Sequence, residues 1–176
     1  MDLARKEVGT LEWGDGSNPK VVAYFRDAGH PEVKDDETAW CAAFVGAMIR
    51  RAGGTPTDAL NARSYLKWGT PVSLDEAKPG DVVVFRRGNS TWQGHVAFFM
   101  AKDGDKIAVL GGNQRDAVSI ARYPAADLLG IRRDAVAPQT RAVQPPSVPA
   151  PPAPAEPAQG FWAAILRWLV EGRRKA

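Results

Sequence analysis

The chain has 176 residues, 44% apolar and 24% charged, with one cysteine and a formal net charge of +3. That length allows one domain with a buried core plus an appendage, and a lone cysteine excludes both an internal disulfide and a cysteine-rich zinc site. Residues 1–137 carry 18 basic and 18 acidic side chains, and the whole positive surplus sits in residues 160–176. The main domain therefore lacks the basic footprint of a nucleic-acid binder.

The opening MDLARKEVGTLEWG is charged and has no apolar h-region, so no secretory signal is expected. Asp2–Val8 and Pro19–Ala28 read as short helices, separated by the loop Gly14–Asn18. Thr38 is a natural N-cap. It would place Cys41 in the first turn of a helix running to about Ala52 and stopped by Gly53-Gly54. Asn61–Trp68 reads as another short helix.

After Gly80 the pattern changes. Asp81–Arg86, His95–Ala101, Lys106–Leu110, Val118–Arg122 and Leu129–Arg132 are short β-rich runs bounded by turn residues. Helices followed by a meander predict an α+β fold, with an antiparallel sheet packed on the cysteine helix.

The composition breaks near residue 137. Residues 138–159 hold 8 of the 14 prolines and read as an extended linker. In residues 160–176, Phe161, Ile165, Trp168 and Leu169 recur at helical spacing, opposite Arg167, Glu171 and Arg174. This reads as a basic amphipathic helix, too short to span a bilayer. Through residues 161–175 it would either lie on a membrane or outer-membrane surface, or pack on the domain or on itself.

Two readings compete for Cys41. A free cysteine is a common core filler. At a helix N-terminus, however, unpaired N–H groups and the positive dipole end stabilise a thiolate and can hold an oxyanion. His30 lies in a loop and reads as solvated, whereas His95 opens a strand. If Asp103-Gly104-Asp105 is a three-residue hairpin loop, counting back sets His95 opposite Asn113, and a Cys41–His95–Asn113 set becomes possible. A two-residue loop would set Gly112 there instead. Turn chemistry in GGNQ is the plainer role for Asn113.

The segments TAWCAAFV, GDVVVF, GHVAFF and GGNQ, in this order, resemble the papain-like peptidoglycan hydrolases of the NlpC and CHAP superfamily. The chain is similar to the subgroup found as phage endolysins, over about residues 3–133. The resemblance implies a papain-like α+β domain at 1–137 that cuts an amide bond in bacterial peptidoglycan. Cys41 would be the nucleophile, His95 the base and Asn113 the orienting residue. No metal or cofactor is needed for this chemistry. The enzyme would be made in the cytoplasm and act on the periplasmic wall after release.

Asp36 or Glu37 would point into the cleft and bind a free amino group of the stem peptide, with helix N-terminal charge stabilisation as the simpler role. Trp40 would wall the cleft or pack in the core, and Gln114 would line the site or sit in a solvated loop. His95 as base predicts that activity falls between pH 8 and 5. An interbacterial toxin, a host wall-remodelling enzyme and a non-catalytic wall-binding module with a membrane-active tail stay open as alternatives.

Overall fold

The computed structural model describes residues 1–135, so the expectations for the linker and the C-terminal helix lie outside the described residues. Three helices come first: α1 (Asp2–Lys6), α2 (Pro19–Ala28) and α3 (Cys41–Arg51). Helix α2 starts where its sequence says it should. Pro19 takes the first helical position, where the missing N–H costs nothing, and the Asn18 side chain accepts from the Lys20 N–H at 2.9 Å. Val21, Tyr24, Phe25 and Ala28 form its buried stripe.

Helix α3 is buried along its whole run from Cys41 to Ile49, which explains why it is apolar all round. Its last turn, Arg50 and Arg51, is the exposed part. There Arg51 donates to Asp27 from Nε (2.9 Å) and Nη2 (2.7 Å) and to Glu7 from Nη1 (3.0 Å), tying the end of α3 to α2 and to the residue after α1.

Six strands follow: β1 (Thr70–Val72), β2 (Val82–Arg86), β3 (Gly94–Asp103), β4 (Lys106–Gly111), β5 (Ser119–Pro124) and β6 (Leu128–Arg133). They form one antiparallel sheet in the order β1-β6-β2-β3-β4-β5. Val82, Val84, Val96, Phe98 and Leu110 pack into the core with Trp40, Phe44 and the rest of α3. Val83, Phe85, Ala97, Phe99, Ile107, Val109 and Ile131 form a second apolar cluster on the other face. With both faces covered, β2 reads as a continuous apolar run rather than an alternating one.

Three expectations need correction. Thr38 does not cap α3. Its N–H and Oγ1 both donate to Asp35 Oδ1 at 2.9 Å, and Trp40 occupies the cap position without a side-chain cap bond. The Asn61–Trp68 segment is a 3-10 helix, Ala62–Lys67, capped by Asn61. The hairpin between β3 and β4 has a two-residue turn, with Asp103 opposite Lys106.

By itself that turn, made of Gly104 and Asp105, would carry Gln114 to the level of His95. Strand β3, however, bulges at Met100, between the pairs Phe99↔Val109 and Ala101↔Ala108. The extra residue shifts the count by one. Beyond it Phe98 faces Leu110, and the same count brings His95 level with Asn113. The register expected at the site end therefore holds, for a different reason.

Candidate active site

Cys41 is the first residue of α3 and is 9% exposed. Burial pushes its thiol above the ordinary range. The backbone N–H groups of Val96, Ala42 and Cys41 itself, together with the Arg87 charge, pull the other way. The Val96 contact is informative because Val96 follows His95 on β3. It brings the helix start against the strand that carries the histidine.

His95 is half-buried, and the Tyr123 ring stacks on it with centroids 4.9 Å apart at 23°. Its Nε2 lies 3.2 Å from Gln114 Oε1. The surroundings of Gln114 fix which amide atom faces the ring. Gln114 Nε2 donates to the Ser119 carbonyl at 2.6 Å, the Gly111 carbonyl at 3.2 Å and Ser119 Oγ at 3.2 Å. Both carbonyls accept only, so Oε1 must face the histidine. The His95 Nε2–H then donates to Gln114 Oε1, and Nδ1 is left bare to accept a proton.

Burial lowers His95 to about 4, and Arg87 adds to the fall, while the Gln114 bond opposes it. With the thiol raised and the imidazole lowered, the resting pair at neutral pH is thiol and neutral imidazole. The expected loss of activity between pH 8 and 5 moves accordingly to more acidic pH.

Both residues line a cleft of about 500 Å³. Its other walls include Asn61, Trp92, Asn113, Gln114, Arg115 and Tyr123. Trp92 is 65% exposed, on a loop held from below. Arg63 donates to the carbonyls of Gln93 (2.7 Å) and Ser90 (2.5 Å), and Asn61 donates to that of Trp92 (3.1 Å). Among the described residues, no group of three or more His, Cys, Asp or Glu side chains is placed to hold a metal ion.

Several expected site residues take other roles. Asn113 lines the cleft at a left-handed φ of 54° and does not bond His95; the neighbouring Gln114 does. Asp36 is fully buried away from the cleft. Its Oδ2 accepts from the backbone N–H groups of Trp13 (3.0 Å) and Asn18 (2.8 Å), so it clamps the 13–18 loop rather than binding an amine. Glu37 is exposed and does not line the cleft. Trp40 is also fully buried, stacked on Tyr24 with Nε1 donating to Glu12 Oε2 at 2.9 Å, so it belongs to the core. His30 is half-buried rather than solvated, with Nδ1 3.1 Å from Glu32 Oε1.

Trp92, Tyr123 and the arginines of the cleft escaped the sequence reading. They come from separate segments, and only the loop position of Trp92 hinted at exposure. Gly111-Gly112 was the missed signal for Gln114. A Cβ on Gly112 would lie 2.6 Å from both Phe44 Cβ and Trp40, and one on Gly111 would lie 2.9 Å from Ala97 Cβ. Only glycines let the chain pass this close to α3 and turn Gln114 back onto the histidine.

The helix-borne cysteine, the strand-borne histidine and the α+β architecture define a papain-like fold. Residues 33–113 match the CHAP domain family, which bears out the resemblance read from the motifs. Among solved structures, the wild-type endolysin LysIME-EF1 is 17% identical with a TM-score of 0.50, covering 80% of this chain and 63% of its own. A protein similar to a lipoprotein of the NLP/P60 family, from Staphylococcus aureus subsp. aureus Mu50, is 22% identical with a TM-score of 0.47. It covers 76% of this chain and 39% of its own. This chain thus spans less than two thirds of either solved chain. No curated protein matches it.

Proposed function

We propose that this protein is a peptidoglycan hydrolase that cuts an amide bond by cysteine nucleophilic catalysis, in the manner of an endolysin acting on the cell wall after release. The observation that carries the reading is the shared cleft. Cys41 at a helix start and His95 on the facing strand line it together, and the Gln114 bond leaves the Nδ1 of His95 free for a proton.

In this mechanism Nδ1 of His95 takes the Cys41 proton as substrate enters, and Sγ attacks the amide carbonyl carbon. The tetrahedral oxygen develops charge near the free N–H groups at the start of α3, those of Cys41 and Ala42, where the helix dipole also favours it. The imidazolium returns its proton to the leaving nitrogen. The C–N bond breaks and leaves a thioester, and a water deprotonated by His95 then releases the acid. Gln114 takes the orienting place that Asn113 was expected to fill.

The test compares wild type with Cys41→Ala on purified Gram-negative peptidoglycan, reading released fragments by mass spectrometry. Wild type should release fragments whose masses name the bond, and the variant none. Equal release by both would make Cys41 a core residue and remove the mechanism.

A further inference from the structure

The charge of the cleft is opposite to the one expected from the acidic run before Cys41. Arg86, Arg87 and Arg115 all line it, and no Asp or Glu does. The domain around it is balanced, with 18 basic and 18 acidic residues in 1–137, so the arginines are a local concentration.

Their states differ. Arg86 is engaged, with Nε 2.6 Å from Asp127 Oδ1. Arg87 and Arg115 are exposed, and neither forms an ion pair among the described residues. Arg87 acts electrostatically on Cys41, on His95 and on Tyr123, which places it beside the reacting pair. Arg115 reaches Tyr123 electrostatically and stands on a strained turn. Asn113, Arg115 and Asp116 all have left-handed φ, at 54°, 56° and 60°. That turn holds Gln114 inward on the histidine and Arg115 outward at the mouth. Backbone strain of this kind gathers where side chains are being aimed.

A guanidinium fork without an acid partner, at the edge of a cleft, fits a carboxylate. We infer that Arg87 and Arg115 form a carboxylate-recognition subsite, so that the substrate carries a free carboxylate close to the amide bond attacked by Cys41. This rests on the hydrolase reading and specifies its substrate: stem peptides with ionised carboxyls rather than amidated ones. The neighbourhood adds a coupling. A carboxylate seated on Arg87 offsets the cation that holds His95 down, so arrival of the correct substrate raises the basicity of the imidazole that must take the thiol proton.

The experiment uses the full chain and two preparations of purified Gram-negative peptidoglycan. Both have amines blocked by acetylation, and one has its carboxyls converted to amides. Initial rates over a concentration series give kcat and KM. Wild type should prefer the carboxylate form by roughly 10- to 100-fold in kcat/KM, the range expected for hydrogen bonds to a charged group. In the double variant Arg87→Gln/Arg115→Gln the preference should collapse to within about 3-fold. In Arg86→Gln, whose arginine is already held by Asp127, it should persist. Because the readout is a ratio between two substrates, a change in Cys41 or His95 reactivity cancels. Equal cleavage of both forms by wild type, or a preference that survives in the double variant, would overturn the inference and leave the hydrolase reading intact. Failure of wild type to cleave either form would remove both.

Discussion

Replacing Gln114 with methionine keeps the length of the side chain and deletes every polar contact it makes. Gln114 is 6% exposed, so water does not take its place. On the folding side, the carbonyls of Gly111 and Ser119 and Nε2 of His95 lose a partner. Each buried group left unpaired costs about 1–3 kcal/mol. On the catalytic side, the His95–Gln114 bond is neutral at rest and charge-assisted once the imidazolium forms. Hydrogen bonds to charged groups contribute about 1.5–3 kcal/mol against about 0.5–1.5 kcal/mol for neutral ones. The difference, roughly 1–1.5 kcal/mol, stabilises the protonated histidine and is worth about 5- to 10-fold in rate. A freed ring also samples the tautomer with its proton on Nδ1, which cannot act as base. The expected loss in kcat is therefore at least about 10-fold. The control is Asn113→Gly, because glycine accepts the φ of 54° at that position while alanine would strain it. That variant should stay within about 3-fold in kcat. The assay is the initial rate of fragment release from peptidoglycan, with a thermal melt of each variant to confirm that it is folded. A larger kcat loss for Asn113→Gly than for Gln114→Met would refute the assignment and restore Asn113 as the orienting residue.

The pH profile should stay flat from pH 7 to about 5 and fall as pH passes about 4, where folded His95 takes up its proton; an acid limb centred near 6.5 would contradict the burial argument. The same shift acts on stability. The unfolded chain protonates this histidine near its usual 6.5 and the folded chain only near 4, so stability should decline as pH falls through that window, and His95→Gln should flatten the decline in chemical-denaturation series. Gly112→Ala should cost about 1–3 kcal/mol in denaturant titrations, because its Cβ meets Phe44 and Trp40 at 2.6 Å, and should lower activity by displacing Gln114. Asp36→Ala should destabilise by about 2–4 kcal/mol through the orphaned N–H groups of Trp13 and Asn18, with KM little changed; a large rise in KM at unchanged stability would return Asp36 to substrate binding.

Much of the site could be read from the chain because its two principal residues sit on elements with strong local signals. The apolar run after Cys41 allows only a buried helix, and the Gly/Asn/Ser/Thr loop before His95 marks a strand start. What stayed hidden depended on long-range geometry. Asp36 stands in a run of acids that looks like a solvated surface, yet its carboxylate turns inward to hold a loop 18 to 23 residues away. The GGNQ segment offers two amides one residue apart, and only the left-handed turn at Asn113 decides that the second reaches the histidine. Arg87 and Arg115 meet around the cleft from loops far apart in sequence. Strand β1 is three residues long, contains Pro71, and gains its identity only by pairing with β6.

The extra residue at Met100 works as a gear between the two ends of one hairpin. A two-residue turn fixes the tip in one phase, and the bulge shifts the cleft end by one step, so the two ends are set by different residues. Drawing Met100 into the ladder would leave the turn intact yet bring Gln114 rather than Asn113 level with the histidine, whereas deleting Met100 would straighten β3 and keep Asn113 there. On an unbulged strand, a three-residue turn with Lys102 facing Lys106 would bring Asn113 to the same level. The same alignment is therefore reached by a short turn with one extra residue in β3 or by a turn one residue longer with none.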